Sequence, residues 1–289
     1  MKKIATAAVF LSALLWGTMG VFVRELSQFG LSTNNVAFVR LLSASIILVI
    51  VLFIKDRKGF YIDLKDLPLF MVTGSVSVFA MCTFYYKSIE LSSMSVAAIL
   101  LYTSPFYVTV AAAFFYKEKI TVTKVCALIV AFIGCIFVAG LGGKVSGLGI
   151  LFGLLSGITY ASYSIFSKKL LEKYSSLTVT TWCFIFAAIA SACLSNPAAV
   201  FTTLNNSGYT SLLLSVLAGL ITAVLPFTLY TFGLEHIEAG SASVMATLEP
   251  MTATILGTII YKEFPNALGV LGIVLILFAI ILLNKKSRV

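Results

Sequence analysis

Charged residues are scarce in this chain. Asp, Glu, Lys and Arg make up 11% of its 289 residues, whereas soluble domains carry about 25%. There is one histidine, and none of the five cysteines has C-x-x-C spacing. These shortages argue against a membrane or soluble enzyme, a disulfide framework and a zinc site. No catalytic residue, metal or cofactor is expected.

Apolar residues take the place of the missing charges. The chain is 60% hydrophobic, which is more apolar surface than one aqueous core can hide. We therefore predict a multi-pass protein of the cell membrane, with the lipid bilayer as its surroundings. The formal charge of +9 could indicate nucleic-acid binding. In membrane proteins, however, basic loop residues set orientation, so no nucleic-acid partner is expected.

Ten apolar runs are long enough to cross a hydrocarbon core of about 30 Å. They cover approximately residues 4–23, 35–54, 67–87, 94–116, 121–141, 147–167, 177–195, 209–234, 239–261 and 266–284. The fold class predicted is therefore an all-α membrane protein with ten transmembrane helices. If the N-terminus is cytoplasmic, fifteen Lys and Arg residues fall in inner segments and four in outer ones. This bias places both termini in the cytoplasm.

A sequence repeat divides the chain into two halves. "LYTSPFYVTVAAAFFYKE" (101–118) and "ATLEPMTATILGTIIYKE" (246–263) have the same length, a proline at the same place and the same final YKE. Their offset is 145 residues, so residues 1–143 and 144–289 are predicted to be two five-helix repeats of one transport unit. Because five is odd, the second repeat enters the membrane from the opposite side. Inverted repeats are typical of secondary transporters with a binding site near the midplane.

The motifs and their doubling also resemble a known family. They are Trp16-Gly17, "FVRLLSAS" around Arg40, the "SP…YKE" and "EP…YKE" segments, and "SKKL" near residue 168. In this order, over the whole chain, they resemble the ten-helix, EamA-type members of the drug/metabolite transporter superfamily. The resemblance implies transport of a small metabolite through a cavity lined mainly by helices 1, 3, 4, 6, 8 and 9. It does not fix the substrate.

Glu249 is the first candidate site residue. It is the only acidic residue that we place inside a span, about 16 Å deep by the rise of an α-helix. Intramembrane carboxylates are costly and usually face a cavity, a proton route or a cationic ligand. Pro250 removes a backbone donor beside it and predicts a kink. The alternative is a protonated glutamate that is hydrogen-bonded between helices.

The matching position in the first repeat is neutral. Ser104 replaces the acid beside Pro105, which predicts a second kink, and Pro226 predicts a third. Aromatic residues recur at similar depth and, with one carboxylate, would suit an organic cation. The substrate-binding candidates beside Glu249 and Ser104 are Trp16, Tyr85, Tyr102, Tyr160, Tyr163, Phe227 and Tyr230. Taken singly, each of the aromatics is expected to be a packing residue more often than a ligand contact, since 13% of the chain is aromatic.

Two further features are given structural roles. Arg40, about five residues from the outer end of its helix, can extend towards the interface and resembles the family's helix-2 arginine. It is interpreted as structural or as a gate residue. The two YKE ends are interpreted as interfacial anchors with exposed charges.

The function predicted is secondary active transport by alternating access, driven by protons or a substrate gradient. No phosphate-binding loop is present, and no span has the polar stripe of a channel. The substrate is expected to be a small cationic or zwitterionic solute such as an amino acid or amine, or alternatively choline or another quaternary ammonium. An integral membrane enzyme is the non-transporter alternative. The protein could act as a monomer or as a dimer.

Overall fold

The computed structural model describes residues 1–140 and 145–285, and side chains up to Leu283. Within these ranges all regular secondary structure is helical. The predicted boundary between the halves, at 143/144, lies outside the described residues. So do Lys144, Lys286 and Arg288, which contribute to the charge bias.

Nine helices of the described part are long and apolar enough to cross a membrane. They are α1 (Lys2–Ser27), α2 (Thr33–Lys55), α3 (Leu67–Leu91), α4 (Met94–Tyr116), α5 (Val122–Ala139), α6 (Gly147–Leu170), α7 (Ser176–Leu194), α8 (Tyr209–His236) and α9 (Ala239–Tyr261). A tenth apolar helix, α10, covers Ala267–Lys285. Its described apolar part, Ala267–Leu283, is shorter than the other nine. Two short segments outside the spans are also helical, Arg57–Phe60 and Pro197–Asn206.

Hydroxyl side chains begin many of these helices. Ser32, Ser93, Thr121, Ser146 and Ser175 each precede a helix and accept a hydrogen bond from a backbone N–H in its first turn. Each bond satisfies one of the donors that a helix N-terminus leaves without a partner. The helix starts are therefore encoded locally, at the polar residues that separate the apolar runs.

Five of the spanning helices are interrupted. α1 breaks after Trp16 and resumes at Met19, α4 breaks between Leu101 and Ser104, and α9 breaks at Thr247. The interruptions in α3 and α8 are π-helical segments, Thr73–Ala80 and Leu220–Val224. A π-helical turn inserts an extra residue and is common at functional sites. The interrupted helices are thus candidates for the site-forming part of the bundle.

The interruptions recur at the repeat offset. Adding 145 to the residues of the α3 π-helical segment gives 218–225, which includes the segment in α8. The α4 and α9 helices end alike, with Lys117 and Lys262 in the left-handed conformation at φ 54° and 60°. The next N–H then bonds a carbonyl in the last helical turn, Glu118 to Ala112 and Glu263 to Gly257. The same local structures therefore occur twice in the described part of the chain, at positions about 145 residues apart.

Helices α5 and α10 pack tightly on each other. Gly134 of α5 and Gly272 of α10 face each other so closely that a Cβ on Gly272 would lie 2.6 Å from the Gly134 carbonyl oxygen. A Cβ on Gly134 would lie 2.8 Å from the Gly272 carbonyl oxygen. Small residues allow such close backbone approach between membrane helices.

The outer faces of the bundle remain apolar. Large side chains such as Ile54, Phe114, Phe115 and Ile281 are exposed, and a soluble monomer rarely shows so much contiguous apolar surface. Polar side chains such as Ser12, Thr73, Ser156 and Thr231 are instead buried. This inside-out distribution is what a lipid environment requires.

Candidate functional site

Glu249 lies at the interruption of α9. The second part of the helix runs from Leu248 to Tyr261 and places Glu249 in its first turn, where the helix dipole favours a negative charge. By helix rise, the residue is about 15 Å from the start of α9, near the middle of a membrane core. Its side chain is half-buried. Among the described residues, the carboxylate has no hydrogen-bond or ion-pair partner.

α1 approaches this interruption through a glycine. A Cβ on Gly17 would lie 2.5 Å from Thr252 Cβ and 2.8 Å from the Glu249 carbonyl oxygen. A similar contact occurs beside the interruption of α4, where a Cβ on Gly157 of α6 would lie 2.8 Å from the Leu100 carbonyl oxygen. The backbone of each break is therefore held directly against a neighbouring helix.

Three tyrosines lie near Glu249. Tyr85 of α3, Tyr102 of α4 and Tyr160 of α6 all lie within electrostatic range of its carboxylate. None of their hydroxyl groups bonds to another group in the described part of the chain, and none is among the fully buried polar atoms that lack a partner. Their hydroxyls therefore remain free to bond a ligand or water. We call Glu249, Tyr85, Tyr102 and Tyr160 the acid–tyrosine cluster.

The other predicted aromatic residues form a packed group beside this cluster. The Trp16 ring lies 5.1 Å from Phe227 and 5.2 Å from Tyr230, and Tyr163 lies 5.0 Å from Phe227. The hydroxyls of Tyr163 and Tyr230 are hydrogen-bonded inside the protein. Tyr163 Oη is 2.8 Å from Thr231 Oγ1, and Tyr230 Oη is 2.8 Å from Ser164 Oγ. These contacts are typical of a core. Only Trp16 also reaches Tyr160, at 6.2 Å, and so links the two groups.

Ser104 and Pro105 lie at the interruption of α4, as Glu249 and Pro250 lie at the interruption of α9. Both are buried, and Pro105 stands in the first turn of the second helix part. Ser104 lines a cavity of about 10 Å³ together with Tyr160, Ser164, Tyr230 and four apolar or small residues. That space suits roughly one water molecule, so a metabolite would need the surrounding helices to move apart. Pro226 lies just after the π-helical segment of α8.

Arg40 is buried in the bundle. Its side chain is only 4% exposed, and its guanidinium points towards three other helices. One nitrogen is 3.5 Å from Met19 Sδ of α1 and 3.4 Å from the Thr222 carbonyl oxygen of α8. The other terminal nitrogen is 3.6 Å from Cys82 Sγ of α3. Its charge also acts on Glu249.

Charged residues link α4 to α6 at one end of the bundle. Lys168 Nζ donates to Glu118 at 2.9 Å and lies 5.6 Å from the centre of the Tyr116 ring. Tyr116 Oη donates to the Ile165 carbonyl oxygen at 2.6 Å. We call Lys168, Tyr116 and Glu118 the α4–α6 clasp. Glu118 also accepts hydrogen bonds from the first two backbone N–H groups of α9, those of Ala239 and Gly240.

Burial and charge oppose each other at Glu118. Burial raises the pKa of this carboxyl group, whereas the hydrogen bond and charge of Lys168 and the two backbone N–H groups lower it. The pKa ends below its usual value. Lys124, at 3.6 Å, contributes a second nearby cation and is itself paired with Glu238 at 2.9 Å.

An equivalent clasp links α1 to α9. Arg24 donates to Glu263 at 2.7 and 3.1 Å, and its guanidinium lies 4.5 Å from the centre of the Tyr261 ring. Tyr261 Oη donates to Glu25 at 3.1 Å. We call Arg24, Tyr261 and Glu263 the α1–α9 clasp. Each of its members matches a member of the α4–α6 clasp at an offset of 144 or 145 residues.

The two clasps lie at opposite ends of α9. Glu118 contacts the first residues of this helix, Ala239 and Gly240, and Glu263 follows its last residue, Tyr261. Twenty-two residues of helix separate these ends by about 33 Å. They differ in exposure: the Glu118 side chain is 6% exposed, whereas Arg24 and Glu263 are 47% and 55% exposed. The interpretation of both YKE ends as exposed anchors is therefore wrong for Glu118.

Sequence reasoning found the glutamate but not the clasps. The two YKE segments and the equivalence of Arg24 with Lys168 are both visible in the sequence. Their combination indicates two ion pairs at matching positions, because the offset that relates Arg24 to Lys168 also nearly relates Glu118 to Glu263. The separation of the aromatics into a packed group and an acid–tyrosine cluster has no sequence signal, since it depends on helix rotation.

The chain is similar to a family of known proteins over most of its length. The EamA-like transporter family matches residues 3–140 and again residues 147–285. The "Uncharacterized inner membrane transporter YicL" of Salmonella typhimurium is 27% identical over 290 residues, 97% of this chain and 95% of the relative. The "S-adenosylmethionine uptake transporter" of Rickettsia felis is 27% identical over 266 residues, 89% of this chain and 85% of the relative.

A solved crystal structure has the same fold. It superposes with a TM-score of 0.83 at 16% sequence identity, over 100% of this chain and 99% of the other. At this identity the likeness concerns the fold alone.

Proposed function

Because the chain belongs to the EamA-like transporter family, we propose that it is a secondary active transporter of a small cationic or zwitterionic metabolite. The family and the relatives named above are transporters and not enzymes, and the chain is a multi-pass membrane protein. The proposal concerns what is carried and how.

The acid–tyrosine cluster carries the proposal. Glu249 is a mid-membrane carboxylate with no partner among the described residues, so its charge or proton is available to a ligand. A cation that enters the cluster would meet this carboxylate, the hydroxyls of Tyr85, Tyr102 and Tyr160, and their ring faces. A metabolite with a positive centre is the ligand that best offsets the cost of a carboxylate at this depth.

The Rickettsia relative's name indicates one specific chemistry. S-adenosylmethionine carries a sulfonium cation, an amino group and a carboxylate, and so belongs to the proposed class. At 27% identity it serves as the first compound to test. Choline and other quaternary ammonium ions remain the alternative. Trp16, Phe227 and Tyr230 pack on one another in this state, so an aromatic cage would have to come from the tyrosines of the acid–tyrosine cluster.

The two clasps support an alternating-access mechanism. They lie at opposite ends of α9 and are both closed, and the cavity between them holds about one water. A transport cycle would open one clasp while the other stays closed, so that the acid–tyrosine cluster faces one side at a time. The equivalence of the clasps means that the same residue types would seal both sides.

The repeat interpretation is part of the same proposal. We propose two five-helix repeats, 1–143 and 144–289, in inverted orientation with both termini in the cytoplasm. The double match of the family, the paired π-helical segments and the paired left-handed lysines support it. Glu249 and Ser104 would then be the two non-identical members of one symmetric pair, which places the coupling acid in the second repeat only.

Transport in proteoliposomes tests this function. S-adenosylmethionine, choline, amines and neutral amino acids are offered to wild type and to Glu249→Gln, with and without a pH gradient. We expect electrogenic uptake of a cationic or zwitterionic compound that Glu249→Gln reduces at least tenfold. Glu90→Gln, which alters an exposed pair with Lys87, is the matched control and should transport normally. Uptake of neutral or anionic solutes only, unchanged by Glu249→Gln, would refute the proposal.

A further inference from the structure

Arg40 has an environment that does not satisfy its charge. A guanidinium offers five N–H donors, but here the two terminal nitrogens contact two sulfur atoms, at 3.5 and 3.6 Å, and one carbonyl oxygen at 3.4 Å. The buried Nε has no hydrogen-bond partner among the described residues. No carboxylate of the described residues lies within ion-pair distance. Sulfur is a weak acceptor, so the main acceptor for this cation is missing.

A second buried cation shows how the chain otherwise handles such a charge. Lys124 is also 4% exposed, and it has Glu238 at 2.9 Å and Glu118 at 3.6 Å. A buried charge without a partner is strongly unfavourable. A purely structural Arg40 would be expected to have carboxylates or several carbonyls around it, as Lys124 has carboxylates. Its unsatisfied N–H donors instead suit a reversibly bound anion.

Arg40 and Glu249 border the same region. Met19, which touches Arg40, is two residues from Gly17, which touches the Glu249 backbone. Cys82, which also touches Arg40, lies one helical turn before Tyr85 of the acid–tyrosine cluster. The guanidinium therefore reaches the edge of the cluster, on the side where α1 and α3 meet.

Helix geometry gives the offset of the two residues along the bundle axis. The start of α2 and the end of α9 lie at one end of the bundle, since the α1–α9 clasp joins α9 to the segment just before α2. Arg40 is seven residues from that end and Glu249 is twelve, which separates them by about 8 Å along the helix axes. This spacing suits a molecule whose carboxylate and cationic centre are several bonds apart.

A small cavity at the same bundle end adjoins Cys82, one of the Arg40 contacts. It has a volume of about 20 Å³ and is lined by Asn34, Thr83, Tyr86, Ser195 and five other residues. The Tyr86 hydroxyl and the Ser195 hydroxyl are buried without a partner. Cys82 belongs to both this cavity and the Arg40 contacts. The two unpaired hydroxyls therefore lie in a cavity that ends beside a contact residue of the guanidinium.

We propose that Arg40 binds the carboxylate of a zwitterionic substrate whose cationic group is held by Glu249. This inference rests on the proposed function and narrows its substrate class from any cation to molecules that carry both charges. A planar guanidinium binds a carboxylate through two parallel hydrogen bonds. Selectivity for amino-acid-like compounds over simple amines then resides in Arg40.

A matched pair of ligands tests the proposal. S-adenosylmethionine and its decarboxylated form share the sulfonium and differ in the carboxylate. Binding of both is measured on the purified full-length protein, as wild type, Arg40→Gln, Arg40→Lys and Glu249→Gln. We expect wild type to prefer the carboxylated ligand at least tenfold and Arg40→Gln to bind both about equally. Arg40→Lys should keep part of the preference, because lysine retains the charge without the fork. Glu249→Gln should weaken both ligands.

The outcomes separate this inference from the proposed function. Equal affinity of wild type for the two ligands overturns the role of Arg40 and leaves the cation proposal standing. The role of Arg40 is likewise overturned if Arg40→Gln weakens the binding of both ligands to the same degree. Should Arg40→Gln not fold, the same criterion applies to Arg40→Lys. If wild type binds neither, S-adenosylmethionine is excluded as the substrate. Arg40 is then tested with N-acetylmethionine, a carboxylate without a cation: binding that Arg40→Lys weakens supports the anion site, and no binding overturns it.

Discussion

The two clasps should differ strongly in their contribution to stability. In the α4–α6 clasp, Glu118 is 6% exposed and accepts hydrogen bonds from Lys168 at 2.9 Å and from the N–H groups of Ala239 and Gly240 at 2.7 and 3.2 Å. Removing one partner of a buried ion pair costs about 3–5 kcal/mol. Glu118→Gln keeps the shape of the side chain and removes its charge, so we expect a loss of this size in the free energy of unfolding.

The α1–α9 clasp supplies the matched control. Arg24 and Glu263 have the same chemistry and equivalent positions but are 47% and 55% exposed, and exposed pairs contribute about 0–1 kcal/mol. Glu263→Gln should therefore cost less than about 1 kcal/mol. The difference between the variants, about 3 kcal/mol, corresponds to a change of at least a hundredfold in an equilibrium constant.

Denaturant titration of the two variants in the same detergent measures this difference. Accessibility of the α4–α6 end to a thiol reagent, at a cysteine introduced at Gly240, reports whether that end opens more often in Glu118→Gln. Similar costs for Glu118→Gln and Glu263→Gln, or a larger cost for Glu263→Gln, would refute the assignment of unequal strength to the two ends.

Three further predictions follow from local contacts. Gly17→Ala should cost about 1–3 kcal/mol of stability through overpacking and impair transport, while Gly20→Ala, whose Cβ would meet nothing within 4 Å, should behave as wild type in both assays. Tyr163→Phe should lower the free energy of unfolding by about 1 kcal/mol, because it leaves the buried hydroxyl of Thr231 unpaired. Tyr160→Phe should instead alter ligand affinity and leave stability nearly unchanged. The reverse pattern would contradict the division between packed and ligand-facing aromatics. The pKa of the Glu118 carboxyl group is below its usual 4.5 in the folded protein. The ionised carboxylate therefore stabilises the fold fully above about pH 4.5, and this stabilisation is lost as pH falls through the lower folded pKa. The stability difference between wild type and Glu118→Gln should shrink on acidification, and a difference that grows would contradict the lowered pKa.

Much of the helical framework could be predicted from the sequence. Runs of apolar residues and the polar caps between them fix the spans, and the predicted ranges 94–116 and 239–261 coincide with α4 and α9. The helix Pro197–Asn206 was missed because it lies between spans and is too short for a hydropathy signal. The π-helical segments were missed as well, since no residue type in Thr73–Ala80 requires them.

The site was less predictable than the framework. Glu249 stands out in the sequence because a carboxylate in an apolar run is rare. Tyr160 and Tyr163, only three residues apart, looked equivalent, but the rotation of α6 turns one towards Glu249 and pairs the other with Thr231. The burial of Arg40 was also invisible, because its position allowed an interfacial location. Such distinctions depend on how helices pack, which periodicity alone does not specify.

The contact between α5 and α10 limits how the two halves can move. Gly134 and Gly272 bring the two backbones so close that neither helix can slide past the other without a clash with a carbonyl group. Rotation about this seam is the movement that preserves the contact, so we expect the α5–α10 contact to act as the rotation axis between the two groups of helices. A covalent crosslink placed across the seam should then leave turnover intact, whereas the same crosslink across a clasp should stop it.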